Sequence, residues 1–86
     1  MKQLPGTVRA YRRTPAFTEQ TVPKGLLSQH RTAPGVWGKI HVEKGELLYT
    51  VGADSWRLTP GHPGIIEPQV PHSVAAPGPV EFFVEF

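Results

Sequence analysis

Val80–Phe86, reading VEFFVEF, is the stretch that decides the fold. Val80, Phe82, Val84 and Phe86 fall on one face and Glu81, Phe83 and Glu85 on the other, the period of two that marks a half-buried strand. Pro77-Gly78-Pro79 punctuates the chain just before it. Working back toward the N-terminus, His72–Ala76, Gly64–Glu67, Ser55–Thr59 and Glu46–Val51 are further short β candidates, separated by the TPGHPG loop and by a turn at Gly52–Asp54. Val36, Gly38, Ile40 and Val42 alternate with Trp37, Lys39 and His41. Glu43-Lys44-Gly45 then suits a hairpin turn into Glu46–Val51, with Gly45 in the left-handed position. The longest stretches free of Pro and Gly are Thr7–Thr14 and Leu26–Ala33, so a three-turn helix would carry a breaker almost anywhere. Short strands with closely spaced turn signals predict an all-β antiparallel sandwich or barrel. In the N-terminal third, Thr7–Arg13 reads as an edge strand, and Thr14–Thr21, bracketed by Pro15 and Pro23, has room for one helical turn.

The 86 residues suit a single domain over 1–86. Ten Pro and nine Gly make the chain turn-rich, but 38% hydrophobic and only 19% charged residues favour a packed core over disorder. With no Cys, disulfides, thiolate catalysis and Cys-based zinc sites are excluded, so any metal would need His and carboxylate. Nine Lys and Arg against seven Asp and Glu give a charge of +2. Lys2, Arg9, Arg12 and Arg13 precede the first acid, Glu19; this fits a charged edge strand better than a nucleic-acid surface, which would interleave stacking aromatics. No apolar run approaches a membrane span and no signal-peptide pattern is visible, so a cytoplasmic location is expected.

Few residues can carry chemistry. No nucleophile-elbow motif, phosphate-cradling glycine loop or zinc-protease helix is present. His62 sits in the TPGHPG turn, and His41 faces water if Ile40 and Val42 face the core. His30 closes the run GLLSQH, two residues before Thr32, which a strand would put on the same face. His72 ends GIIEPQVPH, where two prolines stiffen the approach and help to fix where the imidazole points.

The runs TVPKGLLSQHRTAPGVWGKIHVEKGEL, IIEPQVPH and FFVEF resemble the TehB-like and YeaR-like small cupin family, found alone or fused ahead of a tellurite-resistance methyltransferase. The resemblance spans about Tyr11 to Phe86. It implies a cupin-type double-stranded β-helix, a jelly-roll barrel, and a link to tellurite or related stress resistance. The second cupin metal motif runs Gly, five residues, Pro, any residue, Gly, two residues, His; Gly61 and His72 keep that spacing, with Glu67 and Gln69 where Pro and Gly are usual. In the first motif His30 matches the first His, Thr32 replaces the second, and the Glu falls near Trp37 or Gly38.

A two-His set holds zinc or iron weakly unless a third ligand joins it. Glu67 is the candidate, the alternative being an ion pair with Arg57 or Arg31. Gln69 would coordinate through its carbonyl oxygen or orient an imidazole from behind, and Trp37 or Trp56 would wall the pocket or cap the core. The expectation is therefore a barrel pocket in which His30, His72 and Glu67 hold a divalent zinc or iron, with Gln69, Thr32 and Trp37 around them. If the protein is an enzyme, the metal would polarise an oxygen-containing substrate with Glu67 as proton acceptor. The alternatives are a metal-free pocket for a small ligand or oxyanion, and a structural homodimer module, for which Phe83 on the Glu face of the last strand is the expected exposed contact.

Overall fold

The computed structural model describes residues 1–28 and 30–86. Its strands are β1 (Phe17–Thr18), β2 (Gly38–Gly45), β3 (Leu47–Val51), β4 (Asp54–Leu58), β5 (Gly64–Ile66), β6 (Ser73–Ala75) and β7 (Val80–Glu85). One short 3-10 helix, Lys24–Leu27, follows Pro23. The helical turn expected within Thr14–Thr21 is instead β1 and a turn in which the Val22 amide donates to the Thr18 carbonyl. No helix among the described residues is long and apolar enough to cross a membrane.

The strands form two sheets, β1-β7-β2-β5 and β4-β3-β6, and every pairing is antiparallel. Alternation sets which faces meet. Ile40 and Val42 of β2, Val80, Phe82 and Val84 of β7, and Ile66 of β5 are buried from one sheet. Leu47 and Tyr49 of β3, Leu58 of β4 and Val74 of β6 are buried from the other. These ten side chains form one core, with Phe82 fully shielded at its centre. Removing such apolar surface from water is the main favourable contribution to a fold of this size. The described residues thus form an all-β domain of two packed antiparallel sheets. Among the described residues neither sheet closes on itself and no ladder between named strands joins the two, so the expected closed barrel is not formed there.

The hairpin expected at Glu43-Lys44-Gly45 does not form. β2 pairs with β5 and β7, whereas β3 pairs with β4 and β6, so Gly45 carries the chain from one sheet to the other. Its φ of 77° is left-handed as anticipated. The register between β2 and β7 shifts by a residue between Val42 and Lys44, a bulge that bends the strand toward its exit. The true hairpin is β3–β4, turning at Gly52, where φ is 59°.

The N-terminal segment runs along β7 as an edge. The Tyr11 amide donates to the Phe86 carbonyl at 2.7 Å, the Phe86 amide to Arg12 at 2.7 Å and the Thr14 amide to Val84 at 2.8 Å. Phe83, expected to be exposed, is covered: His41 stacks on it at 4.7 Å between centroids and the Arg13 guanidinium lies 4.1 Å over its ring.

Candidate functional site

His30 and His72 meet through their backbones as well as their rings. The His30 amide donates to the His72 carbonyl at 2.8 Å and the His72 amide returns the bond at 2.9 Å, an isolated antiparallel bridge that brings the two Cβ atoms together. Pro68 and Gln69 prepare the approach to His72. Proline presets the first central position of a turn, and Gln69, at φ 62°, takes the left-handed second position. The Gln69 amide donates to the Thr32 carbonyl at 3.2 Å, tying this turn to the strand-like segment that carries His30.

His72 is 3% exposed, the one buried polar residue among the described residues. Burial pushes its pKa below the ordinary histidine value; the bond to Val70 opposes that shift and the nearby His30 adds to it. The ring is therefore neutral at pH 7. Its Nδ1 lies 3.1 Å from the Val70 carbonyl oxygen, which can only accept, so Nδ1 carries the proton and Nε2 presents a lone pair. That lone pair faces His30 Nδ1 across 3.4 Å, a long contact in which His30 is the donor. The rings are nearly perpendicular, at 76°, and the Tyr49 ring packs against His72 at 5.9 Å.

The imidazole pair opens into a cavity of about 240 Å³ whose other walls include Phe17, Leu26, Ile66, Val84 and Phe86. Thr32 reaches the same cavity, but its hydroxyl donates to the Val36 carbonyl at 2.8 Å. The arrangement places two imidazoles, joined by one long contact that an incoming hydroxyl could replace, inside an apolar enclosure, which suits a ligand with an apolar body and one hydrogen-bonding group.

The remaining expected residues lie elsewhere. Glu67 lines a different cavity with Trp56 and Tyr49, and its Oε1 is 3.3 Å from the Lys2 ammonium rather than near Arg57 or Arg31. Arg57 instead pairs with Glu46 at 2.8 Å. The Gln69 side chain is exposed, and Trp37 lines a small cavity with Leu4 and Val8. His41 faces outward and bonds Glu85 at 3.0 Å, while exposed His62 bonds the Thr59 hydroxyl at 3.1 Å. Five residues separate Glu67 from His72, which on an ideal strand puts them on opposite faces, and the two do line different cavities. Tyr49 escaped the sequence reading as a site residue, although its alternation with Leu47 on Glu46–Val51 carried the signal that it points inward.

The TehB-like domain family matches residues 12–84. The probable S-adenosyl-L-methionine-dependent methyltransferase TehB of Haemophilus influenzae is 32% identical over 73 residues, covering 77% of this chain and 26% of that protein. The crystal structure of TehB from Haemophilus influenzae superposes with a TM-score of 0.84 and 29% identity, over 91% of this chain and 30% of that one. A crystal structure of an Escherichia coli K12 protein superposes with a TM-score of 0.88 and 25% identity, over 99% of this chain and 94% of that one. The chain therefore spans less than a third of the methyltransferase it matches.

These findings overturn the metal-binding cupin with a zinc or iron cofactor. Among the described residues no three His, Asp or Glu side chains gather where an ion could be held, because Glu67 does not join His30 and His72. The relative is named instead for an S-adenosyl-L-methionine-dependent activity. With most of its length matched by one family and its fold shared with TehB, this chain belongs to the TehB-like domain family.

Proposed function

We propose that this domain is a small-molecule-binding module serving S-adenosyl-L-methionine-dependent methyl transfer: it holds the methyl acceptor in the His30–His72 cavity, and a separate catalytic domain supplies the methyl group. The observation that carries the reading is the buried, neutral His72, whose Nε2 lone pair is turned toward His30 in an apolar-walled cavity of about 240 Å³. An apolar cavity of about 150 Å³ is already enough for benzene. Uncharged walls favour a neutral acceptor over an oxyanion, whose desolvation they would not offset.

S-adenosyl-L-methionine itself does not fit this cavity. Its ribose diol, ammonium and sulfonium call for carboxylate partners, and none lines the walls. The described strands are all antiparallel, so they lack the crevice at the carboxyl ends of parallel strands in which nucleotide-bearing cofactors commonly sit. The sequence match to only 26% of the Haemophilus influenzae methyltransferase is consistent with the transfer chemistry lying in the remainder of such a protein.

The finer fold assignment is a cupin-type jelly roll. With the His30–His72 bridge counted as a fourth member of the smaller sheet, the strand orders become β1-β7-β2-β5 and His30-β6-β3-β4, two four-membered sheets as in double-sheet jelly rolls. A homodimer through Phe83 forms no part of the proposal, since Arg13 and His41 cover that ring.

Phenol, an apolar ring with one hydroxyl, is the test ligand. Titrated while the His30 and His72 ring signals are followed by NMR, it should produce a saturable shift with Kd near ~1 mM, about −4 kcal/mol, which is within reach of so small a molecule. His72→Phe should abolish the response, and S-adenosyl-L-methionine should leave the same signals in place. Linear, unsaturable drift with phenol, or saturation of these signals by S-adenosyl-L-methionine, refutes the assignment.

A further inference from the structure

A separate cavity of about 370 Å³ has walls of the opposite chemical character and plays no part in methyl-acceptor binding as proposed. Glu67 and Asp54 contribute carboxylates to it, Tyr49 and Trp56 contribute rings, and Lys2 lies at its edge. Glu67 Oε1 is shielded from solvent yet accepts no hydrogen bond. The Lys2 ammonium is close enough to count as an ion pair, at 3.3 Å, but is not aligned to donate. The Glu67 side chain as a whole is 27% exposed, but Oε1 itself is screened from water, and among the described residues what faces it is a nearby charge without a hydrogen bond.

That compensation is weak. Lys2 is 75% exposed, and a long, solvated side chain held in one geometry gains little from such a pair. A carboxylate oxygen left without a hydrogen bond away from water is costly and therefore favours a cation that can remain beside it. The Tyr49 and Trp56 rings stand 5.8 Å apart with a tilt of 33°, forming an aromatic wall beside the same space. Aromatic faces attract ammonium groups, most strongly where water is excluded. The Tyr49 hydroxyl is already committed to the Ile65 carbonyl at 2.9 Å, so the ring is held in place.

We propose that this cavity binds a small organic cation of the ammonium class, with Glu67 as its counter-ion and Trp56 and Tyr49 as its wall, and that Lys2 is a tethered competitor for the same carboxylate. A tethered group competes through its effective concentration, so removing it should tighten the binding of a free cation without adding any contact.

Tetramethylammonium chloride is the probe, titrated into the full chain while the Trp56 indole N–H is followed by NMR, with Trp37 as internal reference and sodium chloride as the ionic control. The expected result is a saturable shift confined to Trp56, tightened several-fold by Lys2→Ala and weakened at least about tenfold, about 1.4 kcal/mol, by Glu67→Gln. An equal response to sodium chloride overturns the proposal, as does a Glu67→Gln variant that binds normally. Lys2→Ala removes only an exposed side chain and leaves the core intact, so it keeps the test decisive if Glu67→Gln unfolds. Unchanged or weaker binding in Lys2→Ala refutes the competitor role, whereas phenol binding at the imidazole pair is unaffected by either outcome.

Discussion

Gly45→Ala tests the feature that sets the whole topology, the crossing from one sheet to the other. A Cβ built at Gly45 would lie 2.1 Å from the Pro79 carbonyl oxygen, 3.1 Å from its carbonyl carbon and 3.2 Å from the Val80 Cα. Contacts under 3 Å do not persist, and every atom it meets is backbone, so the chain must move rather than a side chain rotate. Gly45 is itself the register partner of Val80, which places the displacement at the end of the β2–β7 ladder. The left-handed φ costs an alanine about 1–2 kcal/mol, and loss of a ladder hydrogen bond adds about 1 kcal/mol. Opening the contact raises the sum to about 3 kcal/mol or more. Gly52→Ala supplies the control: its φ of 59° imposes the same conformational cost, but nothing lies within 4 Å of the added carbon. Urea unfolding should therefore move the midpoint of Gly45→Ala down by about 1–3 M for an m-value of ~1–3 kcal/mol/M, and that of Gly52→Ala by about one third to two thirds as much. Equal midpoints for the two variants refute the reasoning, because they would mean that Gly45 is needed only for its dihedral and not for the close approach to Pro79.

Two further outcomes concern the titrating groups around the cavities. Burial depresses the folded-state pKa of His72, so below the ordinary value of about 6.5 the unfolded chain takes up a proton that the folded chain resists. Stability should be full above that pH and fall below it by at most about 1.4 kcal/mol per unit, until the folded ring titrates in turn. His72→Phe should remove that component of the slope, and a pH profile identical to the parent would show that His72 is not the group responsible. Tyr49 behaves in the opposite sense: burial first, and the Glu67 charge second, raise its phenol to about 12. Stability should be intact below about pH 10 and decline by roughly 2 kcal/mol between pH 10 and 12, as the unfolded phenol ionises first. Phenolate absorbance in Glu67→Gln should then titrate at lower pH than in the parent; coincident curves would remove Glu67 as a cause.

How far the sequence could be read follows from which interactions each residue answers to. VEFFVEF was legible because a single buried face decides it: Val80, Phe82 and Val84 all enter one core, and no distant contact competes with that alternation. The convergence of His30 and His72 was anticipated only through the resemblance to the cupin motifs, since the prolines before His72 restrict its approach but do not tie it to a residue 42 positions away. Glu43-Lys44-Gly45 was not legible, because a left-handed glycine between two apolar runs serves a hairpin and a crossing between sheets equally well. The choice is made by whether the faces of β2 and β3 belong to one sheet or oppose each other, and the close approach of Pro79 to Gly45 records that choice only in three dimensions. Glu67 was misplaced by the same kind of long-range decision. Its neighbour Ile66 points toward the imidazole cavity while Ile65 and Glu67 line the other one, so one residue of alternation separates a neutral, apolar enclosure from a charged, aromatic one. Tyr49 touches both, packing its ring on His72 and feeling the charge of Glu67. A substitution there, unlike one at either histidine or at Glu67, would disturb both cavities at once, which is why the two binding tests rest on residues to either side of it.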